Sequence, residues 1–340
     1  MFLAQIPPTE RDISLGFGDS RQLVGEVQTG HSEYADASLA HEVDQALWKD
    51  AAFRAADYDS IAVHASGGIV HLYGHVSSLT NQHRAERALQ NIPGLLGVNN
   101  DLIPDDRLLA EVATALGSLE HTYDCKFFTG VSHGVVLLSG EVDNATIRSL
   151  AEKCAADNPN VRGVLNSVHI RGTSVDLLDQ PFLQPATGAE IFFLDGISGR
   201  VRQVIINPDN RRVVAMTIQG RFADQRQELQ SLNNGEARPP ERLIVLSMNL
   251  VRYLTKVSGF LDIHSNERKR YMEFDPARFV APPKDWKAPY PYRPGDVLFR
   301  VEHRELEGQL SQQLLQSPFA VALEEQSLRE QLIANDSLGG

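Results

Sequence analysis

IVHLYGHV, residues 69–76, and VVLLSGEV, residues 135–142, are two versions of one segment, and their pairing decides the architecture. Gly68, Gly74, Gly97 and Asn100 each have a twin 66 residues on, at Gly134, Gly140, Gly163 and Asn166. Pro93 and Pro159 keep the same spacing. A recurring set of turn and strand residues at a fixed offset is the signature of a duplicated structural unit.

Working outward from the first copy, LAHEVDQALW places Leu39, Val43, Ala46 and Leu47 at helical spacing. SIAVHAS and IVHLYGHV alternate as strands around a Gly67-Gly68 turn. Val70, Leu72 and Val76 share one strand face, and Gly74 is expected where a side chain would obstruct helix packing. Residues 79–92 read as a second helix with Ala85, Ala88, Leu89 and Ile92 inward, stopped by Pro93-Gly94. GVNNDLI closes the unit as a third strand, so the order is α-β-β-α-β. The second copy repeats it: LLAEVATAL at 108–116, KFFTGVS, a turn at His133-Gly134, VVLLSGEV, a helix over 144–156 and GVLNSVHI. The first helices align at an offset of 69, so the second copy lacks three residues in the loop that follows. Gly68, Gly74, Gly97, Gly134, Gly140 and Gly163 are the expected turn and packing glycines. Thr80 in the first copy, and Asp143 with Asn144 in the second, are expected N-caps.

The Gly turn, the apolar-Gly-x-Val strand (Leu72 to Val76, Leu138 to Val142), the Ala-bearing helix after it and the closing Gly-Val strand resemble BON domains, twice over residues 38–172. The resemblance implies small non-catalytic binding modules of bacterial proteins, associated with phospholipid membranes in envelope proteins and with ion binding in some cytosolic members.

From 188 the texture becomes β. AEIFFLD, RVRQVIIN, RRVVAMTIQ, RLIVLS and SGFLDI are strands, with a polar insert at 221–240. Gly199, Val201, Val204 and Ile205, then IVLSMNLV, resemble a PRC-barrel, which implies a scaffold and interaction domain. Residues 265–302 carry a Pro/aromatic ribbon with Trp286, Tyr290 and Tyr292, expected either to strap its own domain or to serve as a partner motif. The expected fold is therefore α+β: a mobile N-terminal arm (1–37), repeat 1 (38–104), repeat 2 (105–172), a linker (173–187), a small β-barrel-like domain with its extension (188–302) and a helical tail (303–340). Leu310, Leu314, Leu328 and Leu332 form an apolar stripe on that tail, to pack on the barrel or on a second subunit.

Net charge is −12, carried by the repeats (−6) and the two ends (−4 each), against +2 for residues 173–302. That balance argues against nucleic-acid binding, which draws on clustered Lys and Arg. It also argues against simple electrostatic adhesion to anionic lipid. No apolar run is long enough to span a bilayer, and the N-terminus lacks the pattern of a signal peptide, so a cytoplasmic protein is expected, with a peripheral place at the inner membrane as the further option.

His64, His71 and His75 fall with one parity on adjacent strands. They could bind Zn²⁺ or act as a pH-responsive patch, or be solvent-facing strand positions. Val135 and Leu137 face outward as an apolar pair that needs a cover, for which the sister repeat or another subunit is expected. Cys125 and Cys154 are read as core thiols, with a disulfide between them left open. No catalytic motif is present, and no cofactor is expected. The expected function is a non-enzymatic binding and assembly scaffold, self-associating or ligand-sensing, with a homo-oligomer or protein partner. The alternative is a peripheral phospholipid-associated protein of the stress or envelope-maintenance type.

Overall fold

The computed structural model describes residues 26–173, 182–222 and 241–301, with side chains from Ala35 onward. Leu310, Leu314, Leu328 and Leu332 lie outside the described residues, as does most of the polar insert. The described residues divide into two compact units, the repeats in one and the later strands, with Arg162–Leu165, in the other.

In the first repeat, helix α1 (Glu26–Lys49) begins inside the stretch expected to be an arm. Its Leu39, Val43 and Leu47 are buried on one stripe. A short helix α2 (Ala51–Ala56) and a 3-10 turn occupy what reads as a loop. The Asp50 side chain caps α2 by accepting from the Ala52 and Phe53 amides, and Phe53 is driven fully into the core. Strands β1 (Ile61–Ser66) and β2 (Ile69–Val76) pair antiparallel, helix α3 (Leu79–Ala88) crosses over, and β3 (Gly97–Pro104) returns parallel to β2. Ser78, rather than Thr80, is the N-cap of α3, its hydroxyl accepting from the Asn81 amide at 3.2 Å.

The second repeat follows the same order: α4 (Asp105–Tyr123), β4 (Lys126–Ser132), β5 (Val135–Val142), α5 (Ala145–Ala156) and β6 (Gly163–Ile170), with sheet order β4-β5-β6. Its first helix runs straight to Asp124, whose φ of 47° turns the chain into β4. The first copy, three residues longer here, has α2 and the 3-10 turn in the corresponding stretch. Asn144 caps α5, as expected.

Gly74 and Gly140 occupy equivalent sites for a reason other than the expected one. Both have strongly positive φ, 119° and 141°. A Cβ at Gly74 would run into the Ser60 carbonyl oxygen, and one at Gly140 into that of Lys126. The obstruction is the neighbouring strand's backbone and not the helix. Gly97 has ordinary φ and open space around its Cα, so nothing in the fold requires glycine there.

In the second unit a curled sheet runs β11-β12-β7-β8-β9-β10-β13. Its members are β7 (Glu190–Phe192), β8 (Ser198–Ile206), β9 (Val213–Arg221), β10 (Glu241–Ser247), β11 (Val251–Leu254), β12 (Ser258–Leu261) and β13 (Met272–Glu273). Strand β8 is long enough to pair with β7 through its first residues and with β15 (Val297–Arg300) through its last. The second strand of the ribbon, β14 (Phe279–Val280), pairs with β15. The ribbon therefore straps its own domain. Trp286 sits edge-on to Phe299 with the Arg211 guanidinium over its ring, and the buried Tyr292 hydroxyl donates to the Pro185 carbonyl at 2.9 Å.

Candidate functional site

The most elaborate polar arrangement in the first unit lies where the two repeats meet. Asp57, at the C-terminus of α2, has no side-chain exposure. Its carboxylate accepts from the Ser77 amide (2.8 Å), the Ser77 hydroxyl (3.1 Å) and the Asn81 side-chain amide (2.7 Å), which closes the first repeat between β2 and α3. The remaining partner comes from the other repeat. His133, in the β4–β5 turn, places Nε2 3.2 Å from Asp57 Oδ1 and 3.0 Å from the Ala56 carbonyl oxygen.

His133 is held in place by Asp105, the first residue of α4. The Asp105 carboxylate accepts the backbone amides of His133 (2.5 Å) and Gly134 (2.9 Å). The first repeat has the same device: Asp36 on α1 accepts the amides of Gly67 (3.0 Å) and Gly68 (3.3 Å). An acidic residue on the opening helix thus grips the hairpin turn in each copy, satisfying two amide donors that the turn leaves unpaired. The copies differ at one position. Where repeat 1 has Gly67 at φ 59°, repeat 2 has His133 at φ 47°. A left-handed conformation is unstrained for glycine and costs other residues roughly 1–2 kcal/mol.

The tie is reciprocal. His75, on β2 of the first repeat, is 1% exposed, and its Nε2 lies 2.7 Å from the Asn160 carbonyl oxygen of the second. Its ring fills the space in front of Gly134, where a Cβ would collide with it. Asp106 of α4 adds a further link, accepting the Leu79 amide at the start of α3 at 3.0 Å.

Three shifts in proton affinity follow. For Asp57, burial raises the pKa, but the bonds from His133, Ser77 and Asn81 outweigh it and hold the carboxyl below its usual range. For His133, the bond to Asp57 raises the imidazole above its ordinary value, against a smaller opposing effect of burial. For Asp105, burial dominates the two backbone bonds and leaves the carboxyl raised.

These positions redraw the expected sites. His64 and His71 are register partners on β1 and β2, with ring centroids 6.4 Å apart. His71 stacks on Tyr73 at 5.9 Å, and the Asn99 side chain approaches it at 3.3 Å. His75 shares their parity but is engaged by Asn160, so the three do not converge. Among the described residues, no group of three His, Cys, Asp or Glu side chains could hold a metal ion. Val135 is already covered at 9% exposure, whereas Leu137 stays open at 43%. The cover that the sister repeat supplies falls on His75 and not on Leu137. The outward sheet faces otherwise expose Ile69 and Tyr73 in the first copy, and Phe128, diagonal in register to Leu137, in the second. Cys125 and Cys154 are free thiols, half-buried and not in the core as expected, with burial first and nearby carboxylates second raising the proton affinity of each.

Asp57, Asp105 and Asp36 carry no local signal in the sequence, and His133 reads there only as a turn residue. One signal was available: a histidine where the twin copy has glycine.

Among the described residues no helix is long and apolar enough to cross a membrane. No curated protein matches the chain. Two of the matching solved structures are CdsD of Chlamydia trachomatis, described as a structural protein of the Type III secretion system, and the C-terminal domain of the same protein. The first is 18% identical with a TM-score of 0.33, over 39% of this chain and 62% of that one. The second is 17% identical with a TM-score of 0.34, over 40% and 66%. The chain thus spans less than two thirds of either structure. The family model that matches is the BON domain, at residues 35–103 and again at 130–172, so the two repeats are similar to tandem BON domains.

Proposed function

We propose that the chain is a non-catalytic binding and assembly scaffold whose working part is the tandem of repeats. The observation that carries this reading is the seam. Part-buried ties from Asp57, His133 and His75, with an exposed one from Asp106, join two small modules into one body, while each module keeps an apolar outward strip on its sheet (Ile69 and Tyr73; Phe128 and Leu137). Exposed apolar strips on otherwise well-packed sheets suit contact with another macromolecule. We take the contact to be with a second copy or a protein partner. The β domain, which we read as PRC-barrel-like, supplies a further docking face, and the leucine stripe at 310–332 a subunit contact. The match to BON domains supports binding rather than catalysis.

Native mass measurement on the full chain at micromolar concentration tests this reading. Self-association that weakens in Tyr73→Ser combined with Leu137→Ser supports it, and a strict monomer with no captured protein partner removes it. The second reading, peripheral association with phospholipid, draws on the same family match and exposed strips. Flotation with vesicles of mixed neutral and anionic lipid, at low and physiological salt, separates the two. The scaffold reading expects no flotation at physiological salt, since the repeats carry a net charge of −6.

A further inference from the structure

We propose that His133 is a proton-operated latch: when it is charged, it locks the second repeat onto the first, and when it loses its proton, the seam loosens. The inference begins with geometry. The His133 ring reaches out of the turn of one repeat to Asp57 and the Ala56 carbonyl of the other. The charged groups that face it are Asp57, at the end of α2, and Asp105, at the start of α4. Both are carboxylates and both are buried, at 1% and 5% exposure. A further titratable side chain seated at the turn is His75, against Gly134. A protonated His133 thus stands between two buried anions from different repeats. Without its proton, the seam retains two carboxylates that disfavour each other, and Asp105 feels the Asp57 charge in this way. The His133 side chain is 30% exposed, but the carboxylates it faces are buried, so removing its charge leaves them uncompensated and costs more than loss of a surface ion pair.

The comparison between copies supplies an independent reason. The turn in repeat 1 works with glycine at the equivalent left-handed position, gripped in the same way by Asp36. Histidine at that position strains the backbone, and the turn itself does not need it. Its Nε2 is spent across the seam. The grip of Asp105 on the two turn amides holds the strained residue where it can reach Asp57.

Opening the latch has a defined structural consequence. The Ser77 amide is bonded to the same Asp57 oxygen that receives His133, and the His133 and Gly134 amides to Asp105. Each of those bonds lies within one repeat; the backbone amide of Leu79, bonded to Asp106, crosses the seam, and it reports the seam together with Ser77, whose Asp57 oxygen His133 shares. The sign of the pH effect is set by the raised affinity of His133 for its proton in the folded state. The added stability is full below the unfolded imidazole value of about 6.5, and is lost as pH rises through the folded value.

Hydrogen exchange of the full chain, expressed as protection relative to intrinsic rates, tests the proposal between about pH 6 and about pH 9. In the native protein, protection at Leu79 and Ser77 should fall by about tenfold or more across the range, while the His133 and Gly134 amides held by Asp105 and the β1–β2 and β4–β5 ladders change little. His133→Gly, which restores the turn found in repeat 1, should show low seam protection at every pH and no step. Asp57→Asn is the second variant, and should likewise flatten the step while the Ser77 tie persists in part. A flat profile in the native protein overturns the proposal, as does a step of the same size in a folded His133→Gly. Proton affinity of the His133 ring by NMR adds a reading on native protein alone, and an imidazole that titrates at or below its ordinary value overturns the proposal too.

Discussion

His133 Nε2 lies 3.2 Å from Asp57 Oδ1, across 76 residues of sequence and across the boundary between two copies of one fold. Each side of the contact is a fixture of its own copy, since Asp57 closes the α2–β2–α3 corner and His133 forms the β4–β5 turn. This contact joins the duplicated units at a position where their sequences have diverged, Gly67 against His133.

Replacing Asp57 should be among the more damaging single changes in the first unit. Asp57→Ala leaves the Ser77 amide, the Asn81 side chain and His133 without their acceptor in a buried corner. A loss of about 2–4 kcal/mol in urea denaturation is expected, with Asp57→Asn losing less because the amide oxygen still accepts. A change below about 0.5 kcal/mol would mean that the corner is held by packing alone.

The two turn-gripping carboxylates should be unequal. Asp105 is 5% exposed and holds both amides at 2.9 Å or less, while the bonds of Asp36 are longer, one of them exposed and the other part-buried. Asp105→Ala is expected to cost about 1–3 kcal/mol, and Asp36→Ala under about 1 kcal/mol. Paired denaturation curves on the full chain give the ranking, and equal losses would contradict it.

Glycines that look alike in the repeat should separate under substitution. Gly74→Ala and Gly140→Ala force a Cβ onto a strand carbonyl at positive φ, and Gly134→Ala pushes into the His75 ring. Each should lose at least about 1–3 kcal/mol. Gly97→Ala, in open space at ordinary φ, should be neutral or slightly stabilising, by up to about 1 kcal/mol. Thermal midpoints of the four variants check this directly.

Acid should weaken the first unit through Asp57. Its folded-state proton affinity is lowered, so its contribution is present above the unfolded value of about 3.9 and disappears as pH falls through the lower folded value. Asp105 is shifted upward and opposes this, since it folds more readily when protonated. Urea midpoints between about pH 2 and about pH 5 should therefore show a steeper acid loss in Asp105→Asn than in the native protein, and a shallower one in Asp57→Asn.

Much of the fold was legible because its causes are local. The Gly67-Gly68 and His133-Gly134 turns, the alternation of Val70, Leu72 and Val76, and the helical spacing of Leu39, Val43 and Leu47 all follow from neighbours within a few residues. Misreadings arose where context changed the outcome. Helix α1 starts at Glu26, ahead of any apolar periodicity. The loop after it hides α2, because six residues are too short a window for a helical pattern. His75 has the strand parity of a solvent-facing residue, yet it is buried by a segment 85 residues away.

By itself, the sequence determined the duplication, the order of the strands and longer helices within each copy and the positions that need glycine at Gly74 and Gly140, since periodicity and backbone conformation are properties of short stretches. Only the tertiary structure decided which side chains work together. The carboxylates of Asp57 and Asp105 have no local signature that distinguishes them from the many acidic residues at the surface. Burial makes them different, by stripping away water and requiring each oxygen to find a donor. Those donors come from the other strand, the other helix and, in His133, the other repeat.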